Sequence, residues 1–140
     1  MMPIDEILEN FALLDEWEER YRFVIDLGRD LPPFPDDART EENRVRGCTS
    51  RVWLISEADN GKLAFRGDSD AHIVRGLVYI LLSLYSGKTP AEILEIDARG
   101  TLSKLGLEGH LSPMRTNGLY AMVERIRAIA ADHMASPADA

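Results

Sequence analysis

The chain has 140 residues, with 24 Asp and Glu against 16 Lys and Arg, a formal net charge of -8 and a pI near 4.8. That length allows one domain with a full core, and the acidity excludes nucleic acid as the main partner, because phosphate binding needs a basic surface. The N-terminus lacks the basic and apolar stretches of a secretory signal, and the longest nearly apolar run, Gly76 to Leu84, falls short of the roughly 20 residues that span a bilayer, so a cytoplasmic protein that leaves membranes alone is expected.

Ile4, Ile7, Leu8, Phe11 and Leu14 recur at helical spacing and predict an amphipathic opening helix, with a break near Asp15. Asp15 then offers an N-cap for a second helix whose inner face is Trp17, Tyr21, Val24, Ile25 and Gly28. Gly28 followed by Pro32, Pro33 and Pro35 stops it, and an irregular segment runs to about Glu42. Arg51 to Glu57 is rich in Val, Trp, Leu and Ile and reads as a strand with apolar residues on both faces, central in its sheet. Asp59-Asn60-Gly61 is a hairpin turn, and Lys62 to Gly67 returns with Leu63 and Phe65 on one face. Asn43 to Arg46 supplies a short third strand, which places the loop that follows it at one end of the sheet.

Gly67-Asp68-Ser69-Asp70 carries short polar side chains suited to capping, and Ile73, Val74, Leu77, Val78, Ile80, Leu81, Leu84 and Tyr85 follow in a helix apolar nearly all round. Such a helix belongs in the middle of the domain, with Gly76 permitting close approach of a neighbouring backbone. Thr89-Pro90-Ala91-Glu92 fits a capping box with proline at the first helical position, opening a short helix through Ile96. A further short helix covers Asp97 to Leu105. Ser112-Pro113 and Asn117 begin the last one, along which Leu119, Met122, Val123, Ile126 and Ile129 keep helical spacing. The predicted domain is 1–134, and residues 135–140 read as a flexible tail. The predicted class is α+β: a small antiparallel sheet of about three strands packed against helices.

The chemical signal is concentrated around Cys48, the one cysteine. Arg44, Arg46 and Arg51 lie within four positions of it, a local reversal of sign that favours the thiolate. Gly47 lets the backbone turn and leaves the sulfur at a loop tip. The competing reading is an inert buried thiol, since free cysteines are often small core hydrophobes; neighbours of Arg, Gly, Thr and Ser favour reactivity. One Cys with His72, His110 and His133 scattered along the chain cannot build a structural metal or cluster site. Ser86-Gly87-Lys88-Thr89 matches only the end of a phosphate loop and precedes Pro90, so it carries no phosphate site. Three classes stay open. A Cys48/His110 thiol hydrolase or transferase takes His110 as base, although no local signature ties the two. A sulfur carrier needs one nucleophilic thiol, without a base triad, a metal or a second cysteine. A structural binding module would leave Cys48 without chemistry.

The run Asn43-Arg44-Val45-Arg46-Gly47-Cys48-Thr49-Ser50-Arg51-Val52-Trp53 resembles the SufE family of sulfur acceptors, also called cysteine desulfuration proteins. Tyr21 to Gly28 with Leu31-Pro32, Gly67-Asp68-Ser69-Asp70-Ala71 through Gly76-Leu77, Thr89-Pro90, and His110-Leu111-Ser112-Pro113 with Arg115 and Gly118 match in the same order, over nearly the whole chain. The resemblance implies a fold shared with IscU-type scaffold proteins. It also implies that Cys48 accepts sulfur as a persulfide from a SufS-like, PLP-dependent cysteine desulfurase, stimulates that enzyme, and passes sulfur to a SufBCD-type cluster scaffold. PLP would belong to the partner; no cofactor and no metal is expected on this chain. Position and charge add supporting roles: Arg46 and Arg51 stabilise the sulfur anion, Asp68 and Asp70 cap the central helix and hold the cysteine loop, and His110 and Arg115 face that loop or a partner. Sequence leaves the oligomeric state open, a homodimer included.

Overall fold

The computed structural model describes residues 1–135. The chain runs α1 (Ile4–Ala12), α2 (Trp17–Arg29), a 3-10 turn at Asp36–Ala38, β1 (Val52–Asp59), β2 (Lys62–Ser69), α3 (His72–Tyr85), α4 (Pro90–Glu95), α5 (Ala98–Lys104) and α6 (Pro113–Ala135). The fold is α+β, with an antiparallel pair of strands packed against helices. The sheet has two strands where about three were expected: the segment before the cysteine contributes only an isolated bridge, Arg44 to Trp53. Its hydrogen bonds are Val45 N–H to Val52 O at 2.8 Å and Leu54 N–H to Asn43 O at 2.9 Å. β1 is therefore flanked on its second side only at Val52 to Leu54, not along its length as a central strand would be.

The hairpin turn lies at Asn60 and Gly61, both at positive φ (52° and 80°), which suits the twist of a two-residue loop. Leu63 and Phe65 point into the core while Lys62, Ala64 and Arg66 face out. α3 is buried along nearly its whole surface; only His72, Arg75 and Ser83 escape. It packs on α2 through a glycine contact. A Cβ on Gly76 would lie 2.0 Å from Val24 O, and one on Gly28 would lie 2.7 Å from Gly76 N, so both positions must lack a side chain for the helices to meet. Gly28 thus serves packing rather than termination, and α2 continues to Arg29. The N-cap of α2 is Glu16, not Asp15, and makes no side-chain cap bond, and Tyr21 is exposed where an inner-face position was expected.

Thr89 and Glu92 form the reciprocal capping box at α4, and Asp97 caps α5 through Gly100 N–H. Ser112 Oγ accepts from Arg115 N–H at 3.2 Å and so fastens the start of α6, whose first residue is Pro113. The predicted tail begins one residue early: Ala135 closes α6, and 136–140 lie outside the described residues. No helix among the described residues is long and apolar enough to cross a membrane.

Candidate functional site

Val45 and Val52 close a hairpin loop of which Cys48 is the tip. Gly47, at φ 89°, turns the chain there, and a Cβ on it would meet the Ala121 side chain at 3.2 Å, so the loop tip lies directly on α6. Cys48 is half-buried against that helix and its thiol donates to Gly118 O at 3.5 Å. A Cβ at Gly118 would stand 3.5 Å from Sγ. Three fastenings hold the two stems of the loop. Arg125 of α6 donates to Glu42 O at 2.8 Å and Arg44 O at 3.3 Å on the incoming side. On the outgoing side Arg51 N–H donates to Asp70 Oδ1 at 3.0 Å, and Arg51 O accepts from Asp70 N–H at 3.2 Å and Ser69 Oγ at 2.7 Å.

A cavity of about 240 Å³ adjoins the sulfur. Val74 and Leu77 of α3 and Leu119 and Met122 of α6 give it apolar walls, Met114 and Ser112 stand at the start of α6, and Thr49 and Ser50 follow Cys48 along the loop. Among the described residues Arg115 is the charged side chain lining it, and its Nη1 is shut off from solvent without a hydrogen-bond partner.

The electrostatics correct the expectation drawn from nearby arginines. Burial pushes the Cys48 thiol above its ordinary range, and the charge of Arg44 pulls it back only in part. Arg46 points away: its side chain is 75% exposed and pairs with Glu41 at 3.3 Å. Arg51 acts through its backbone, and its residue is exposed. The thiol's bond to Gly118 O adds to the effect, because only the protonated form can donate. At rest this is a sheltered, protonated thiol.

Asp68 and Asp70 do not cap α3. Its N-cap is Ala71, without a side-chain bond, because β2 runs on through Ser69 and takes Asp68 into the sheet, while the Asp70 carboxylate is engaged by Arg51 N–H. Asp70 instead holds the cysteine loop, as above. Asp68 accepts from Arg39 Nη2 at 2.6 Å and stands 3.2 Å from Arg75 Nε, fixing the 3-10 segment over the sheet, where Arg39 also lies above the Trp53 ring at 5.9 Å. His110 is exposed and does not line the Cys48 cavity. Its ring stacks on Trp17 at 4.2 Å and Nδ1 lies 3.1 Å from Gly106 O. The structure therefore brings together Cys48, Asp70 (through Arg51) and Arg115, and leaves His110 and Arg46 apart. Of the three arginines expected to act on the thiol, Arg44 is the one whose charge does so; Arg125 and the Gly118 carbonyl were missed as site groups. Arg125 carried no local signal, since it sits 81 residues from the carbonyl of Arg44 that it holds.

The chain is thus an α+β protein with a lone thiol on a helix-backed hairpin loop, and comparison with known proteins gives its family. The family described as SufE, an Fe-S metabolism associated domain, matches residues 5–130. An uncharacterized SufE-like protein of Rhizobium meliloti is 52% identical over 131 residues, covering 91% of this chain and 94% of the relative. A second uncharacterized SufE-like protein, from Rhizobium etli, is 51% identical over 131 residues, covering 91% and 88%. A solution structure of a hypothetical protein from Thermus thermophilus superposes with a TM-score of 0.77 at 26% identity, covering 97% of this chain and all of that one. The chain belongs to the SufE family, and its role lies in Fe-S metabolism.

Proposed function

We propose that this protein is a sulfur acceptor: Cys48 takes sulfane sulfur from the persulfide of a SufS-like, PLP-dependent cysteine desulfurase, the protein thereby stimulates that enzyme, and the sulfur passes on to a SufBCD-type scaffold for iron-sulfur clusters. The reaction is an exchange between sulfurs. The Cys48 thiolate attacks the outer sulfur of the donor persulfide, the new S–S bond forms as the old one breaks, and the donor thiolate leaves with the electron pair. No net oxidation occurs and no cofactor is needed on this chain; PLP belongs to the partner.

The observation that carries the reading is the single half-buried thiol opening onto an apolar-walled cavity of about 240 Å³. An added sulfur lies about 2.05 Å beyond Sγ, so that space accepts it and shields it from stray thiols. The raised thiol pKa fits a carrier that is quiet until docked: swinging the loop off α6 breaks the Gly118 contact and returns the sulfur to solvent, where the thiolate forms more readily.

The test is desulfurase turnover, read as alanine released from L-cysteine under PLP, with this chain added. Wild type raises turnover severalfold, Cys48→Ser loses the stimulation, and His110→Ala retains it, because His110 is engaged with Trp17 and Gly106. Equal loss in Cys48→Ser and His110→Ala would instead favour a Cys/His catalytic pair.

A further inference from the structure

Among the described residues the cavity beside Cys48 has one charged side chain in its lining, Arg115, and Arg115 Nη1 is buried with no acceptor. The residue is fixed at its base: its N–H donates to Ser112 Oγ at 3.2 Å in the first turn of α6. Among the described residues Arg115 forms no salt bridge, and no Asp or Glu lines the cavity. A guanidinium N–H buried without an acceptor is costly, and such a donor in the lining of the cavity that Cys48 also lines suits an anion that arrives during the working cycle.

Resting on the carrier role of Cys48, we propose that Arg115 is the counter-ion of the outer sulfur of the Cys48 persulfide, which makes the cavity a pocket for anionic sulfane sulfur. The thiol and the persulfide present their charge in different places. In the thiol the reacting atom is Sγ, which faces the Gly118 carbonyl, and the charge acting on it is that of Arg44. In the persulfide the anion resides on the sulfur beyond Sγ, in the space that Arg115 lines. The positive groups are thus Arg115, which lines the cavity from α6, and Arg44, which acts on Cys48 from the segment before the loop while paired with Glu41 at 3.5 Å; Thr49, Ser50 and Ser112 line the cavity without charge. A persulfide held as its anion opposite a guanidinium is kept in the protein-bound form and is released when the loop lifts away from α6.

The experiment loads the full chain without any desulfurase. Sodium tetrasulfide gives up one sulfur to the Cys48 thiolate and leaves as trisulfide, and intact mass reports the gain. The pH midpoint for alkylation of the loaded sulfur by iodoacetamide is then compared in wild type, Arg115→Gln and Arg115→Lys, with thermal melts to establish that each is folded. The expected result is a midpoint about one pH unit higher in Arg115→Gln, since removing an opposite charge disfavours the anion, with partial recovery in Arg115→Lys. The midpoint of the unloaded thiol moves less. Arginine ¹⁵N spectra of the wild-type protein read the same contact without a substitution: the Arg115 side-chain signals shift and gain exchange protection on loading. Successful loading with an unshifted midpoint and unchanged Arg115 signals would overturn the counter-ion alone. Failure of Cys48 to take any sulfur would overturn the carrier reading and the counter-ion with it.

Discussion

Cys48 is set by three neighbours that act in different directions: burial and the Gly118 carbonyl favour the neutral thiol, and Arg44 favours the thiolate. The unloaded thiol should therefore alkylate with a midpoint above the ordinary cysteine value of about 8.5, and Arg44→Gln should move it higher still. Stability follows the same shift. Because the folded pKa is raised, the folded chain keeps a proton that the unfolded chain gives up between the two values. The contribution is full below the unfolded pKa and is lost as pH rises through the folded one. Denaturant melts from pH 7 to 10 should show stability falling across the upper part of that range in wild type, with a shallower fall in Cys48→Ser; identical slopes would contradict the burial account. The sequence singled out Cys48 but misjudged the state of its thiol. Counting arginines along the chain could not reveal that Arg46 turns to Glu41, nor that α6 half-buries the sulfur.

Loops and caps carry the next level. The capping box at Thr89 and Glu92 was legible because every participant lies within four residues. The role of Asp68 and Asp70 was legible only in part: short polar residues ahead of an apolar helix read as caps, but strand pairing of Ser69 with Val52 takes that segment into the sheet. What remains of the expectation is Asp70 holding Arg51 N–H. Asp70→Ala should loosen the outgoing stem of the cysteine loop, speeding amide hydrogen exchange over residues 47–51, at a stability cost of about 1 kcal/mol for one exposed hydrogen bond. Exchange unchanged at those amides would mean that the Ser69 and backbone contacts suffice. The incoming stem should respond to Arg125→Ala in the same way, since that side chain reaches the carbonyls of Glu42 and Arg44 from α6. Its distance along the chain is why no sequence pattern pointed to it.

The whole molecule is built to hold one short loop against one helix. α3 fills the centre, the hairpin lies on one side of it and α2 on the other, and the cavity walls come from α3 and α6. Helical periodicity made most of these elements legible, and Gly76 signalled a close approach; its partner helix was not legible, because nothing in the spacing of Gly28 says which backbone it meets. Gly76→Ala should cost about 3 kcal/mol, since its methyl would meet a backbone carbonyl that cannot move without parting α2 from α3. A thermal midpoint within a degree of wild type would contradict that packing. The proposed role of the molecule turns on Cys48 accepting sulfur, and the most direct measurement is intact-protein mass after incubation with a cysteine desulfurase, PLP and L-cysteine, with Cys48→Ser in parallel. The prediction is a gain of sulfur on the wild-type chain, removed by reductant and absent from the mutant. Folded wild-type protein that gains no mass from an active desulfurase would contradict it.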